Sequence, residues 1–308
     1  MEFFKRQTHF NFMALKKYTA GVALAVSIFA LALVFFKGLH YGLEFTGGIQ
    51  MELRFAKPVN PSHVQEVLQQ AGFTGTRAQL YGSTQDILVR AAAQDGQDLQ
   101  LQQKVVAAFK QHDEDVQLRR IEYVGSEVGQ QLAEQGAIAV IVSILATMAY
   151  IAMRFEYRFA VSAALALAHD ALLVLGVFVL LQIEFDLATL AAVLAVVGYS
   201  LNDKIVVFDR VRENFRLSRT GTPIEVMNGA LNQTLSRTIM TSFMTMLVVL
   251  ALLIFGGSSL FGFSLALTIG IAVGTYSSIF VASALAILLG LSRADLLTKP
   301  KIIVDNRP

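Results

Sequence analysis

The sequence predicts an α-helical polytopic membrane protein with six transmembrane helices and one α+β domain between the first two helices. Of the 308 residues, 55% are hydrophobic and 16% are charged, whereas a soluble protein usually has about a quarter charged residues. Six segments are apolar over the roughly 20 residues that a helix needs to cross about 30 Å of hydrocarbon. These observations indicate a chain that folds largely in lipid.

The first predicted span begins after Lys16 and Lys17, a pattern that is also typical of a signal peptide. Phe35, Phe36 and Lys37 follow where a cleavage site would need small residues, so we expect an uncleaved helix. The six spans are Tyr18–Phe36, Gly136–Met153, Phe159–Leu181, Leu187–Phe208, Thr238–Phe255 and Phe263–Leu291.

Lysine and arginine are distributed unevenly among the loops, and cytoplasmic loops carry the excess. The loops Gln182–Asp186 and Gly256–Gly262 contain none, whereas both termini and the loops after spans two and four contain several. We therefore expect a multi-pass protein of the bacterial inner membrane with both termini in the cytoplasm. Its expected parts are a cytoplasmic N-terminus with helix one (1–36), a periplasmic domain (37–130), helices two to six (131–291) and a cytoplasmic tail (292–308).

The periplasmic domain is predicted to be a ferredoxin-like two-layer sandwich, because its elements follow the order strand, helix, strand, strand, helix, strand. His63 and His112 are isolated, so we expect a binding or moving part rather than a catalytic centre. The predicted strands are Ile49–Phe55, Thr76–Tyr81, Asp86–Ala91 and Val116–Val124, and the helices are Pro61–Gln70 and Gln97–Gln111.

The cytoplasmic loop 209–237 is expected to contain an amphipathic helix that lies on the membrane surface. Thr222, Pro223 and Glu225 fit a capping box with proline at the first helical position. Apolar residues recur at helical spacing after them. A simple connector between spans four and five is the alternative.

Placing an ionisable residue inside a membrane span costs at least about 2.5 kcal/mol of free energy, so its presence there suggests a function. His169 and Asp170 lie near the middle of span three, and Asp203 and Lys204 lie nearer the cytoplasmic end of span four. Arg237 begins span five at a comparable depth.

We interpret these residues as a path for protons or cations. Asp203 is the expected titrating group, Arg237 its counter-charge, and Ser200 lies on roughly the same helix face, one turn away. Alternatively, Asp203 and Lys204 lie at the membrane interface, with Lys204 extending to water, and Asp170 only joins two helices. The candidate residues of the path are Asp203, Arg237, His169, Asp170, Ser200 and Asn202.

The composition argues against several function classes. Without cysteine, a disulfide, a thiolate metal site and a thiol nucleophile are excluded. A formal net charge of +2 argues against nucleic acid as a partner. The chain has no glycine-rich nucleotide motif, and we expect no metal, no cofactor and no enzyme active site. The energy for any work is expected from an ion gradient or a partner.

Several motifs occur in order along nearly the whole chain. They are Gly42–Gly48, Arg154–Glu156, Ala168–Asp170, Gly198–Asp203, Ile205–Asn214, Gln233–Thr238 and Gly274–Ser278. Together they resemble the SecD and SecF subunits of the protein-export translocase, and the small periplasmic domain favours the SecF branch. The family's glycine motif matches Glu44, Phe45, Thr46, Gly47 and Gly48.

The resemblance implies a subunit that pairs with SecD in a twelve-span bundle related to the resistance-nodulation-division exporters. With SecD it would use the proton motive force to move a preprotein through the SecYEG channel after the ATPase SecA has pushed it. YajC, YidC and membrane lipid would be further partners. The family's intramembrane Asp and span-five Arg match Asp203 and Arg237.

Three residues depart from the family pattern. Glu44 replaces Asp, Lys204 replaces Ser or Thr, and Glu127 replaces Pro. A half-transporter that exports small molecules or lipids is the alternative function, although a domain of about 90 residues is small for a ligand pocket. A static assembly scaffold is a third hypothesis.

Overall fold

The computed structural model describes residues 8–73, 75–81, 83–91, 98–110, 115–217 and 221–292. A short 3₁₀ turn, Phe12–Leu15, leads into α1 (Lys16–Lys37). This helix is the first of six in the described residues that are long and apolar enough to cross a membrane, which confirms the predicted architecture.

After α1 the chain forms the extramembrane domain. Its elements are β1 (His40–Tyr41), α2 (Leu43–Thr46), β2 (Gly48–Phe55), α3 (Pro61–Gln70), β3 (Arg77–Tyr81), β4 (Ser83–Ala91), α4 (Asp98–Lys110) and β5 (Val116–Val124). Four strands form one antiparallel sheet in the order β3-β4-β2-β5. The ferredoxin-like assignment stays a prediction. His63 lies on α3, and His112 lies outside the described residues.

The core of this domain follows from the alternation of side chains along β2, which points every second residue to the same face of the sheet. Ile49, Met51 and Leu53 are buried there. They form one cluster with apolar residues of the two helices, including Leu68 of α3 and Phe109 of α4.

The remaining elements form the helical bundle. They are α5 (Ser126–Arg154), α6 (Tyr157–Leu181), β6 (Glu184–Phe185), α7 (Leu187–Leu217), α8 (Pro223–Phe255) and α9 (Ser258–Tyr276), which continues through a π-helical segment (Ser277–Ala282) into α10 (Ser283–Leu288). Several helices extend beyond the predicted spans. For example, α5 begins ten residues before Gly136, with Glu127 in its first turn, where a negative charge favours the helix N-terminus.

The prediction of a separate helix on the membrane surface between spans four and five is wrong. Helix α8 runs without a break from its capping box at Thr222 and Glu225 to Phe255. No residue interrupts the backbone hydrogen bonds before Gly256, so the amphipathic turns and the span form one helix. At 1.5 Å per residue its 33 residues exceed the hydrocarbon thickness, and α8 with the end of α7 therefore extends beyond the bilayer.

The interior of the bundle is formed by α6, α7 and α9, whereas α1, α5 and α8 are more exposed. Small residues allow close packing: Ala30 of α1 lies against Gly176 of α6, and Gly270 of α9 lies against Val196 of α7. The polar side chains of the candidate site lie within this interior.

Among the contacts between the domain and the adjacent end of the bundle are a strand pairing, an ion pair and a side-chain hydrogen bond. Strand β1 pairs in parallel with β6 in the loop between α6 and α7. Arg90 of β4 forms an ion pair with Glu184 of β6, and the hydroxyls of Tyr81 and Ser259 share a hydrogen bond of 3.0 Å.

Candidate functional site

The carboxylate of Asp170 is the centre of a buried polar cluster. Its Oδ2 accepts hydrogen bonds from Ser200 Oγ at 2.6 Å, Lys204 Nζ at 2.9 Å and Ser277 Oγ at 2.9 Å. Its Oδ1 lies 3.0 Å from His169 Nδ1. Asp170 and Lys204 are both 0% exposed. A buried ion pair is tolerated only when further hydrogen bonds satisfy its polar atoms, and this cluster meets that condition.

Helix geometry explains how three segments supply this cluster. Asp170 lies 13 residues after the start of α6, and Lys204 lies 13 residues before the end of α7, so the two reach the same depth from the same side. Ser200 and Lys204 are four residues apart and share one face of α7. Ser277 begins the π-helical segment, a feature that is frequent at functional sites.

The cluster also requires α9 to lie close to α7, so that Ser277 reaches Asp170. A Cβ on Gly274 would lie 2.8 Å from Ser200 Oγ, so a larger residue there would displace the serine. The glycine therefore allows Ser277, one turn further along, to reach Asp170.

Asp203 points to a different side of α7 from Lys204, although the two residues are adjacent in the sequence. Successive helical residues point about 100° apart, and Asp203 faces α8, where Arg237, Thr241 and Ser242 are its neighbours. The side chain is 3% exposed. Its Oδ2 has no hydrogen-bond partner among the described residues. A buried, unsatisfied carboxylate oxygen is costly, and binding a proton or a cation would satisfy it.

The structure thus divides the sequence-predicted site residues into two groups. His169, Asp170 and Ser200 come together with Lys204, and Asp203 lies with Arg237. Asn202 is exposed on the outer side of α7 and belongs to neither group.

The structure adds detail at two of these residues. Ser200 was expected on roughly the helix face of Asp203, and its hydroxyl donates to Asp170, because an i, i+4 neighbour is rotated by about 40° and an i, i+3 neighbour by about 60°. The alternative in which Lys204 extends to water does not hold, since Lys204 is fully buried against Asp170. Ser277 was missed. The ion pair between Asp170 and Lys204 could have been predicted, because the two opposite charges lie at equal depth in consecutive spans and ionisable residues inside a membrane usually pair.

The glycine motif after α1 forms a tight turn into the sheet. Gly47 and Gly48 have φ angles of +67° and +131°, which side chains rarely permit. A Cβ on Gly48 would also lie 2.6 Å from the carbonyl oxygen of Ala91. The motif therefore sets the direction in which the domain leaves the membrane.

Glu44 of the same motif lies among charged groups at the junction of domain and bundle. Burial raises the pKa of the Glu44 carboxyl, and the carboxylates of Asp186 and Glu184 raise it further, against the lowering effects of its backbone hydrogen bond and of Arg90. Next to it, the ring of Phe45 stacks on Phe185 with 5.9 Å between the centroids.

In the described part of the chain, no group of three or more His, Asp and Glu side chains is arranged to hold a metal ion. The two intramembrane groups consist of single carboxylates, their cationic neighbours and hydroxyl groups.

Comparisons with known proteins identify relatives over nearly the full length. Residues 104–292 match the family model "Protein export membrane protein SecD/SecF, C-terminal", and residues 32–59 match the "SecD/SecF GG Motif". The "Protein translocase subunit SecF" of Pseudomonas aeruginosa is 44% identical over 301 residues, 97% of both chains. The protein of the same name from Vibrio alginolyticus is 48% identical over 282 residues, 90% of both chains.

A solved structure has the same architecture. The crystal structure of SecDF, a translocon-associated membrane protein from Thermus thermophilus, superposes with a TM-score of 0.81 at 40% identity. The match covers 92% of this chain and 39% of the SecDF chain, so this chain spans well under half of that protein.

Proposed function

The chain belongs to the SecF branch of the SecD/SecF family of protein-export membrane proteins, and from this premise we propose that it pairs with a SecD subunit and uses the proton motive force to promote preprotein export. The relatives named as translocase subunits favour this function over the export of small molecules. The proposed location is the inner membrane, with both termini in the cytoplasm, as the distribution of Lys and Arg favours.

The observation that carries the proposal is the buried carboxylate of Asp203. It has an oxygen without a hydrogen-bond partner in the described residues. Of the two cations whose charge acts on it, Lys204 and Arg237, the second belongs to a different helix. The charged form of a buried carboxyl is stabilised by a nearby cation and destabilised when that cation withdraws. A movement of α8 relative to α7 would therefore exchange a proton at Asp203.

The Asp170 cluster holds together the part of the bundle against which α8 moves. It joins α6, α7 and the π-helical segment through a compensated charge pair, so these three move as one unit. Lys204 is fixed to Asp170, so its charge acts on Asp203 in every state, whereas Arg237 belongs to α8 and withdraws when that helix moves. The energy of the gradient would in this way be converted into movement between α8 and the rest of the bundle.

The SecD partnership is supported by the polar surface that the chain leaves uncovered. Asn202 is exposed within a membrane span, although an amide gains no hydrogen-bond partner from hydrocarbon. A partner helix bundle would provide one. The SecDF chain of known structure is also much longer than its match to this chain.

The test is a comparison of two Asp→Asn variants of α7 in membrane vesicles that depend on this subunit for export. Asp203→Asn keeps the shape but cannot take part in proton exchange, so we expect normal assembly with SecD and loss of the gradient-dependent stimulation of export. Asp209→Asn, at an exposed position on the same helix, is the control and is expected to behave as the wild type. Full stimulation in Asp203→Asn would contradict the proposal.

A further inference from the structure

An arginine cluster at the cytoplasmic ends of α5 and α7 lies outside the site described above. The guanidinium of Arg154 is 5.6 Å from the centre of the Phe155 ring, and that of Arg212 is 5.9 Å from the same ring. Beside them, Arg158 lies 5.4 Å from the ring of Tyr157, and its Nε donates a hydrogen bond of 3.2 Å to the Tyr157 hydroxyl. We propose that this cluster binds the phosphate of an anionic phospholipid headgroup of the cytoplasmic leaflet.

The charge balance of the cluster favours an anionic ligand. Two guanidinium groups share one aromatic ring, and no carboxylate in the described ranges forms an ion pair with Arg154 or Arg212, including that of the adjacent Glu156. By contrast, Arg210 on the same helix as Arg212 is paired with Glu213 at 2.6 Å. Both guanidinium groups lie beside the same ring. A phosphate accepts charge-assisted, often bidentate hydrogen bonds from arginine, so an anion bound here would offset their positive charge.

The position of the cluster favours a lipid as the source of the phosphate. Met153 is 82% exposed and Tyr157 is 61% exposed on either side of Arg154 and Phe155. Exposed apolar and aromatic side chains next to arginines are typical of the boundary between hydrocarbon and headgroups. Basic pockets between transmembrane helices on the cytoplasmic side bind anionic headgroups in this way.

The start of α6 adds a second attraction for an anion. Its N-cap residue, Glu156, makes no side-chain capping bond, and no acidic residue lies in the first turn. The positive end of the α6 dipole therefore lies beside this cluster.

A purely structural role makes a different prediction. Arg212 Nη1 donates a long hydrogen bond of 3.5 Å to the carbonyl oxygen of Arg154, near the end of α5. If capping of α5 were its only role, removing Arg212 would lower the stability equally in all lipids. A headgroup site instead predicts that removing Arg212 weakens the retention of anionic lipid and leaves the retention of neutral lipid unchanged.

The experiment uses the full-length chain with its SecD partner in nanodiscs of phosphatidylcholine, with and without phosphatidylglycerol. Retention of each lipid is measured by native mass spectrometry after transfer to detergent. For Arg154→Gln/Arg212→Gln we expect about thirtyfold weaker retention of phosphatidylglycerol, and about fivefold for each single variant, from the usual contribution of a juxtamembrane arginine. Arg216→Gln, an exposed arginine of the same helix end, is the matched control and is expected to match the wild type.

Three results would overturn the proposal. The first is unchanged retention of phosphatidylglycerol in the double variant. The second is an equal loss of both lipids, which would indicate capping alone. The third is complete displacement of phosphatidylglycerol by inorganic phosphate at matched concentration, which would identify free phosphate as the ligand. If the double variant does not assemble, the two single variants decide between these outcomes.

Discussion

Lys204 Nζ lies 2.9 Å from Asp170 Oδ2, and both side chains are completely buried between α6 and α7. This relationship separates two acidic residues that the sequence places in similar surroundings. Asp170 has a permanent cationic partner and three further polar neighbours, whereas Asp203 has an oxygen without a partner in the described structure. Under the proposed function, Asp170 has a structural role and Asp203 exchanges the ion.

We expect Lys204→Met to destabilise the protein by about 3–5 kcal/mol, because it leaves the charge of Asp170 buried without a partner. The measurement is denaturant unfolding in detergent, followed by circular dichroism. Lys57→Met, at an exposed position in the extramembrane domain, is the control and should be nearly neutral. The double variant Asp170→Asn/Lys204→Met should recover most of the loss. A Lys204→Met variant as stable as the control would contradict this assignment.

The packing of α9 on α7 gives a second prediction. A Cβ on Gly270 would overlap Val196, with Cγ1 of the valine 2.7 Å away. We expect Gly270→Ala to lower the free energy of unfolding by about 1–3 kcal/mol through overpacking. Val196→Ala should restore part of this loss, because it removes both Cγ atoms but leaves the Cβ of residue 196, 2.9 Å from the added methyl group. Gly198→Ala is the control, because no atom lies within 4 Å of the added methyl group. Equal effects of the two alanine substitutions would show that Gly270 is not a packing contact.

Much of the fold follows from the sequence because the spans are long apolar runs, and lipid imposes a minimum length on them. The helix ends were harder to predict. Polar turns continue α5 back to Ser126 and α7 on to Leu217, and hydropathy does not detect them. The surface helix was predicted separately for the same reason, since the change from amphipathic to apolar residues within α8 does not break its backbone.

The intramembrane residues could be found from the sequence, but their pairing could not. Charges inside spans are conspicuous because they are costly. The choice of partner depends on the 100° between successive helix positions, which places Ser200 about 40° from Lys204 and, to the other side, about 60° from Asp203. It also depends on the π-helical segment that positions Ser277. Neither the tilt of neighbouring helices nor a π-helical segment has a clear sequence signal, so the hydrogen bond from Ser200 to Asp170 could not be predicted.

Glu44 gives a prediction about pH. Burial and the neighbouring Asp186 and Glu184 raise the pKa of this carboxyl above its ordinary value of 4.5. The folded state then binds the proton more tightly than the unfolded state, so this group's contribution to stability increases as the pH falls from neutral through the raised pKa toward 4.5.

We expect Glu44→Gln to remove this dependence. The variant should be at least as stable as the wild type at neutral pH, and its advantage should shrink as the pH falls toward 4.5. Thermal unfolding across this range measures the effect, with Glu127→Gln, at an exposed position on α5, as the control. If the stability of Glu44→Gln relative to the wild type instead increased as the pH falls, the predicted direction of the pH dependence would be wrong.

The central claim is that the Asp203 carboxyl binds and releases a proton as the bundle rearranges. The most direct test is proton movement across proteoliposomes that contain the chain and its SecD partner, followed with a pH-sensitive dye inside the vesicles under an imposed gradient. We predict proton entry for the wild type and for Asp209→Asn, and none above the lipid background for Asp203→Asn. Equal proton entry in all three would contradict the account.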